Sequence, residues 1–118
     1  MPSRIAFLFA VPDELRPLAR LVSGAQPLVI GGRRAVCGRL HQREALLLPG
    51  GMGARCAERA TRAILDEWRP EALIIAGVAG ALSPDLQRGD VLCAREVYSN
   101  GEVLSPTLSL NGLRSAPC

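Results

Sequence analysis

Lysine is absent from this chain, and all 14 of its basic residues are arginine. Without an ε-amine there is no Schiff-base chemistry and no P-loop lysine to reach a phosphate. Aromatic residues are almost as scarce. Phe7, Phe9, Trp68 and Tyr98 make up 3% of the sequence, too few to build a stacking platform for single-stranded nucleic acid. The net charge of +3 is not gathered into a stripe: Arg55, Arg59 and Arg62 alternate with Glu58 and Asp66, the pattern of a solvated helix face. No nucleic-acid partner is expected. Cys37, Cys56, Cys93 and Cys118 never form a CxxC pair, which removes zinc knuckles and thioredoxin-like redox motifs. Such scattered thiols read as small core hydrophobes in a reducing, cytoplasmic compartment. The single histidine, His41, falls in a polar turn, and neither a metal nor a cofactor is expected. No apolar run approaches the roughly 20 residues of a membrane helix. The apolar stretch inside MPSRIAFLFAVPDE lacks a small-x-small cleavage site, so it reads as a buried first strand and not as a signal peptide.

What remains is a chain of 118 residues, 48% of them hydrophobic, enough for one globular domain or part of one. Ile5 to Val11 is a continuous apolar run of strand length. Pro12-Asp13-Glu14 breaks it and opens a helical pattern through Leu15, Leu18, Ala19 and Val22, with Pro17 expected in the first turn. Three short strands are expected at Leu28 to Ile30, Ala35 to Leu40 and Ala45 to Leu48, joined by glycine-bearing or polar turns as a small meander. The segment LLLPGGMGARCAERATRAILDEWRP reads as a strand end, a glycine turn and a helix. Ala54, Ala57, Thr61, Ile64, Leu65 and Trp68 form the apolar stripe of that helix, and Pro70 ends it. Strands at Leu73 to Ile75 and Val91 to Val97 follow, the first after a parallel crossover. Beyond Ser99 the pattern fades into turn residues, so residues 99–118 are expected to be an irregular tail. The fold class is α/β, a three-layer arrangement with a mixed, mostly parallel twisted sheet between helices, read as one partial domain over residues 1–118 and truncated.

Two glycine turns, Gly50-Gly51-Met52-Gly53 and Gly77-Val78-Ala79-Gly80, follow strands, and open parallel sheets bind ligands at the carboxyl ends of their strands. Glycine allows backbone to approach a ligand and leaves amides free to donate. Neither turn is GxGxxG or leads into GK[ST], so dinucleotides and nucleoside triphosphates gain no support. The plainer reading of each turn is strand-to-helix geometry. Glu14, just past the first strand at the start of a helix, sits where the helix dipole favours an ionised carboxylate able to accept a proton from water. Acids are common in any first helical turn, and that alternative stands beside it.

The order of RIAFLFAVPDELRPL, LLLPGGMGARCAERATRAIL and RPEALIIAGVAGALSPDLQRGDVL resembles the successive landmarks of the nucleoside phosphorylase and nucleosidase superfamily, nearest to its methylthioadenosine/S-adenosylhomocysteine nucleosidase branch. The resemblance runs from Arg4 to about Tyr98. It implies a three-layer α/β domain about twice as long as this chain, a purine nucleoside or thionucleoside as small-molecule partner, cleavage of the N-glycosidic bond, and a homo-oligomer when intact. It also implies that Glu14 polarises the attacking water, that Ala10 and Val11 line the nucleoside site, and that Val78, Ala79 and Gly80 pass along ribose and base. Related phosphorylases hold phosphate with an arginine and a serine at positions occupied here by Ile75 and Val78. Neither can donate to an anion, so water is expected as the nucleophile. The acid that protonates the departing purine belongs to the family's second half and has no match here. General acid catalysis is typically worth ~10² to 10⁴ in rate, so little turnover is expected from these residues alone, and a non-catalytic nucleoside-binding or oligomerising fragment is the other reading.

Overall fold

Along Ile5 to Phe9 the side chains alternate between the two faces of a strand, and neither face is polar. Ala6 and Leu8 enter one hydrophobic cluster while Phe7 and Phe9 enter another. The same split recurs in the partner strand, where Leu46 and Leu48 face one way and Ala45 and Leu47 the other. Strands apolar on both sides belong in the middle of a sheet covered on both faces. The computed structural model describes residues 3–105 and 114–117, and it has that sheet.

The chain divides into two units, residues 1–79 and residues 80–118. In the first, β1 (Arg4–Phe9) leads to α1 (Pro12–Ala19), then to β2 (Ser23–Ile30), β3 (Arg33–Leu40) and β4 (Arg43–Pro49), then to α2 (Ala54–Ala63) and β5 (Ala72–Ile75). The sheet order is β2-β3-β4-β1-β5. β2, β3 and β4 form the expected antiparallel meander, whereas β4 and β5 both run parallel to β1. Phe9 pairs with Pro49 and Leu8 with Ile75, so the three parallel strands end side by side. One cluster packs Ala60 and Ile64 of the α2 segment on the sheet; the other packs Leu15 of α1 against Phe9, Ala45 and Leu47. Helices on opposite faces of a mixed sheet give the three layers.

Three local expectations differ from the structure. Pro17 lies five residues after Pro12, the first residue of α1, and so inside the helix and past its first turn; Pro12 takes the tolerated early position instead. The apolar stripe of α2 is rotated, with Ala60, Ala63, Ile64 and Trp68 on the core and Leu65 exposed. Its last turn, Ile64–Trp68, is π-helical and closes with the Arg69 amide donating to the Ile64 carbonyl, which inserts an extra residue into that turn. α2 also sits very low on the sheet, because a Cβ on Gly50 would lie 2.8 Å from both Ala60 Cβ and Leu8 Cδ1.

In the second unit, β6 (Leu92–Ser99) lies between β7 (Glu102–Leu104) and β8 (Arg114–Pro117) in a three-stranded sheet. The irregular tail expected over residues 99–118 therefore carries two strands, while its residues 106–113 and Cys118 lie outside the described residues. Asn100 at φ 49° and Gly101 at φ 80° form a tight hairpin between β6 and β7, a turn for which Asn-Gly is the favoured pair. Among the described residues no helix is long and apolar enough to cross a membrane.

Candidate functional site

Where β1, β4 and β5 end, three loops leave the same edge of the sheet. Backbone bonds tie them together: the Gly50 amide donates to Phe9 O (2.7 Å), that of Gly51 to Ala10 O (2.9 Å) and that of Ala76 to Leu8 O (3.0 Å). Glu14 rises from the third position of α1 into this junction. Its Oε1 accepts from the amides of Ala10 (3.1 Å) and Val11 (3.2 Å), and its Oε2 accepts from the Val78 amide (3.0 Å). The bond to Val11 is half of a capping box, since the valine at the N-cap has no side-chain oxygen to complete it.

Three amide donors stabilise the charged form, and the Glu14 pKa is lowered from its ordinary value of 4.5, chiefly by the Val78 bond, then by the Val11 bond. A carboxylate offers about four acceptor positions. Three are taken, and one on Oε2 remains for a water or a hydroxyl. The group is ionised, fixed in orientation and able to accept one further hydrogen bond.

Gly77 makes this arrangement possible. A Cβ there would stand 2.8 Å from Glu14 Oε2, closer than real Cβ contacts come. The bare turn after β5 is bare because a carboxylate lies against it. Val78 contributes its amide while the residue as a whole is 87% exposed.

Beside the junction is an open pocket of about 360 Å³ lined by Ala10, Val11, Pro12, Pro49, Gly51 and Met52, with Arg33 and Arg34 also on its wall. Of the expected site residues, the structure gathers Glu14, Ala10, Val11 and Val78. Ala79 is exposed in the coil that follows, and Gly80 belongs to the second unit. Gly77 stands in the glycine turn that the sequence marked but was not expected to touch Glu14. Arg33 and Arg34 were read only as turn residues; the signal that could have found them is the register that carries the start of β3 beside the end of β4. His41 is exposed in the β3–β4 turn, away from any described chemistry.

A family model described as Phosphorylase superfamily matches residues 4–113. The chain belongs to that superfamily. It is 35% identical over 94 residues to the 5'-methylthioadenosine/S-adenosylhomocysteine nucleosidase of Geobacillus kaustophilus, spanning 80% of this chain and 40% of that protein. The corresponding enzyme of Listeria monocytogenes is 31% identical over 100 residues, spanning 84% of this chain and 43% of the relative. The crystal structure of the Streptococcus pneumoniae MTA/SAH nucleosidase in complex with 8-aminoadenine superposes with a TM-score of 0.74 at 28% identity, covering 80% of this chain and 42% of that one. This superfamily member thus spans about two-fifths of the length of the relatives it matches. Its mixed sheet flanked by helices is theirs.

Proposed function

We propose that this chain forms the water-holding part of a nucleosidase site acting on a purine nucleoside or thionucleoside. The observation that carries the reading is the carboxylate of Glu14, held by three backbone amides at the carboxyl ends of parallel strands with one acceptor position left. In N-glycosidic cleavage the sugar develops oxocarbenium character and the base departs. A fixed anion beside the sugar stabilises that charge and orients a water for attack at the anomeric carbon. The new bond joins the water oxygen to that carbon, the C–N bond breaks, and the proton that the water sheds balances the one the leaving nitrogen takes up. Its lowered pKa makes Glu14 a weak base, suited to polarising water and not to removing its proton early. Ala10 and Val11 supply an apolar wall for the nucleoside. Ile75 and Val78 offer no side-chain donor to an anion at the end of β5, which supports water over phosphate as the nucleophile.

A second reading, binding without turnover, is favoured by a specific observation: no histidine or carboxylic acid lines the pocket among the described residues. Nothing there is able to protonate a leaving base. The two readings share the nucleoside and differ in the fate of the glycosidic bond. A calorimetric titration with methylthioadenosine and inosine, run beside chromatographic assay of free base, tests them. Saturable binding is expected, with any base release independent of added phosphate and abolished in Glu14→Gln. Binding of neither nucleoside contradicts both readings.

A further inference from the structure

The pocket beside Glu14 is apolar over most of its wall, and Arg33 and Arg34 are the charged residues that line it. Three arginines of this unit are paired with carboxylates: Arg4 with Glu44, Arg16 with Asp13 at 2.8 Å, and Arg62 with Glu58 at 3.1 Å. Arg33 and Arg34 have no carboxylate partner among the described residues. Glu14 is occupied by amides, Asp13 is held by Arg16, and Glu67 accepts from the Gly31 amide at 2.9 Å. Arg33 is moreover laid across the β4–α2 turn. Its Nη2 lies 2.9 Å from where a Cβ of Gly51 would be and 4.0 Å from Cys56 Sγ, so the missing side chain of Gly51 gives the guanidinium its place. Gly51 has φ 97°, a conformation that keeps the position glycine. Arg33 also borders a second, smaller cavity of about 130 Å³ with Arg59, Ile30 and Ala63.

We propose that Arg33 and Arg34 bind an anionic substituent carried by the nucleoside, and that the pocket accepts a purine nucleoside phosphomonoester in preference to the uncharged nucleoside. This rests on the nucleoside reading of the same pocket. Guanidinium forks match phosphoryl oxygens in geometry and stay charged at every working pH. Two unpaired forks beside an apolar wall recognise a molecule that is apolar at one end and a dianion at the other. The ends of β1 and β4 carry the apolar wall, and the start of β3 carries the charge.

The test is calorimetric titration of the full chain at low salt with adenosine, adenosine 5'-monophosphate and inorganic phosphate. It is repeated on the double variant Arg33→Gln/Arg34→Gln and on Arg20→Gln/Arg39→Gln, which removes the same charge away from the pocket. Both pairs are exposed, and thermal unfolding of each variant checks the fold. The expected result is a monophosphate bound about tenfold or more tighter than adenosine, an advantage lost in the first variant and kept in the second. Equal affinities for adenosine and its monophosphate overturn the assignment and leave the nucleoside reading standing. Inorganic phosphate bound as tightly as the monophosphate shows that the arginines serve free phosphate and overturns the substituent assignment. Monophosphate binding without any adenosine binding, lost in the first variant, keeps the anion site and overturns the nucleoside reading; no binding by any of the three overturns both.

Discussion

Gly77 and Glu14 approach so closely that position 77 has no room for a side chain: a Cβ would stand 2.8 Å from Oε2 of the carboxylate. Gly77 is not among the glycines at positive φ, so alanine there costs contact and not backbone strain. Gly77→Ala should therefore push the carboxylate off the Val78 amide while the core, which does not include this residue, keeps its stability. The expected outcome is an unfolding midpoint close to the parent's with nucleoside-induced stabilisation lost. For comparison, a ligand at about 100 times its dissociation constant stabilises by about 2.7 kcal/mol. Undiminished stabilisation in the variant would detach this turn from the site.

Glu14→Gln tests the charge. A carboxamide has one acceptor oxygen, and its NH2 would confront one of the three backbone donors. Because the Glu14 pKa is depressed in the folded chain, its contribution to stability is fully present above the ordinary value of 4.5 and is lost as pH falls through the lower folded value. The urea midpoint of the parent should exceed that of the variant at neutral pH, and the difference should shrink below pH 4.5. A difference that is constant down to strongly acid pH would contradict an ionised, amide-held Glu14.

Gly50→Val places a side chain where α2 meets β1. Overpacking of this kind costs typically 1–3 kcal/mol, and the cost here falls on the contact between Gly50, Ala60 Cβ and Leu8 Cδ1, each 2.8 Å from the added Cβ. The same residue's amide bonds Phe9 O, so displacement of the turn should also weaken nucleoside binding. Urea unfolding with and without methylthioadenosine separates the two effects.

Arg4 joins three elements of the first unit. Its guanidinium lies 4.1 Å from the Trp68 ring centroid, donates to the Trp68 carbonyl at 2.6 Å and pairs with Glu44. Arg4→Ala should lower stability by about 1–2 kcal/mol through the lost cation–π and hydrogen-bond contacts, with no change in ligand affinity. A change in affinity at unchanged stability would contradict a purely architectural role.

Much of the fold was legible because the first unit obeys local rules. Ile5 to Phe9 and Ala45 to Leu48 are apolar on both faces, which only a covered sheet satisfies, and the turns at Gly31-Gly32 and His41-Gln42 separate the meander as their residue types require. Pro17 was misplaced because Pro12 and Pro17 both suit a helix start and only tertiary position decides between them. The stripe of α2 is rotated because several faces of that helix carry small apolar residues at helical spacing, and packing on the sheet selects Ala60, Ala63 and Ile64. Beyond Ser99 the strands are three and four residues long, too short to show alternation, although Asn100-Gly101 was a readable hairpin signal. At the candidate site, the place of Glu14 just past the first strand was legible. Its three amide partners were not, because backbone donors leave no mark on residue type. The clasp with Gly77 links positions 63 residues apart, and nothing in local sequence expresses that distance.

The carboxyl carbon of Glu14 can be followed by nuclear magnetic resonance through an acid titration, and again at neutral pH as methylthioadenosine is added. An amide-held Glu14 should show a titration midpoint below 4.5, a rise toward that value in Gly77→Ala, and a signal that moves on binding the thionucleoside. A midpoint at 4.5 or above, with a signal indifferent to the nucleoside, would contradict it.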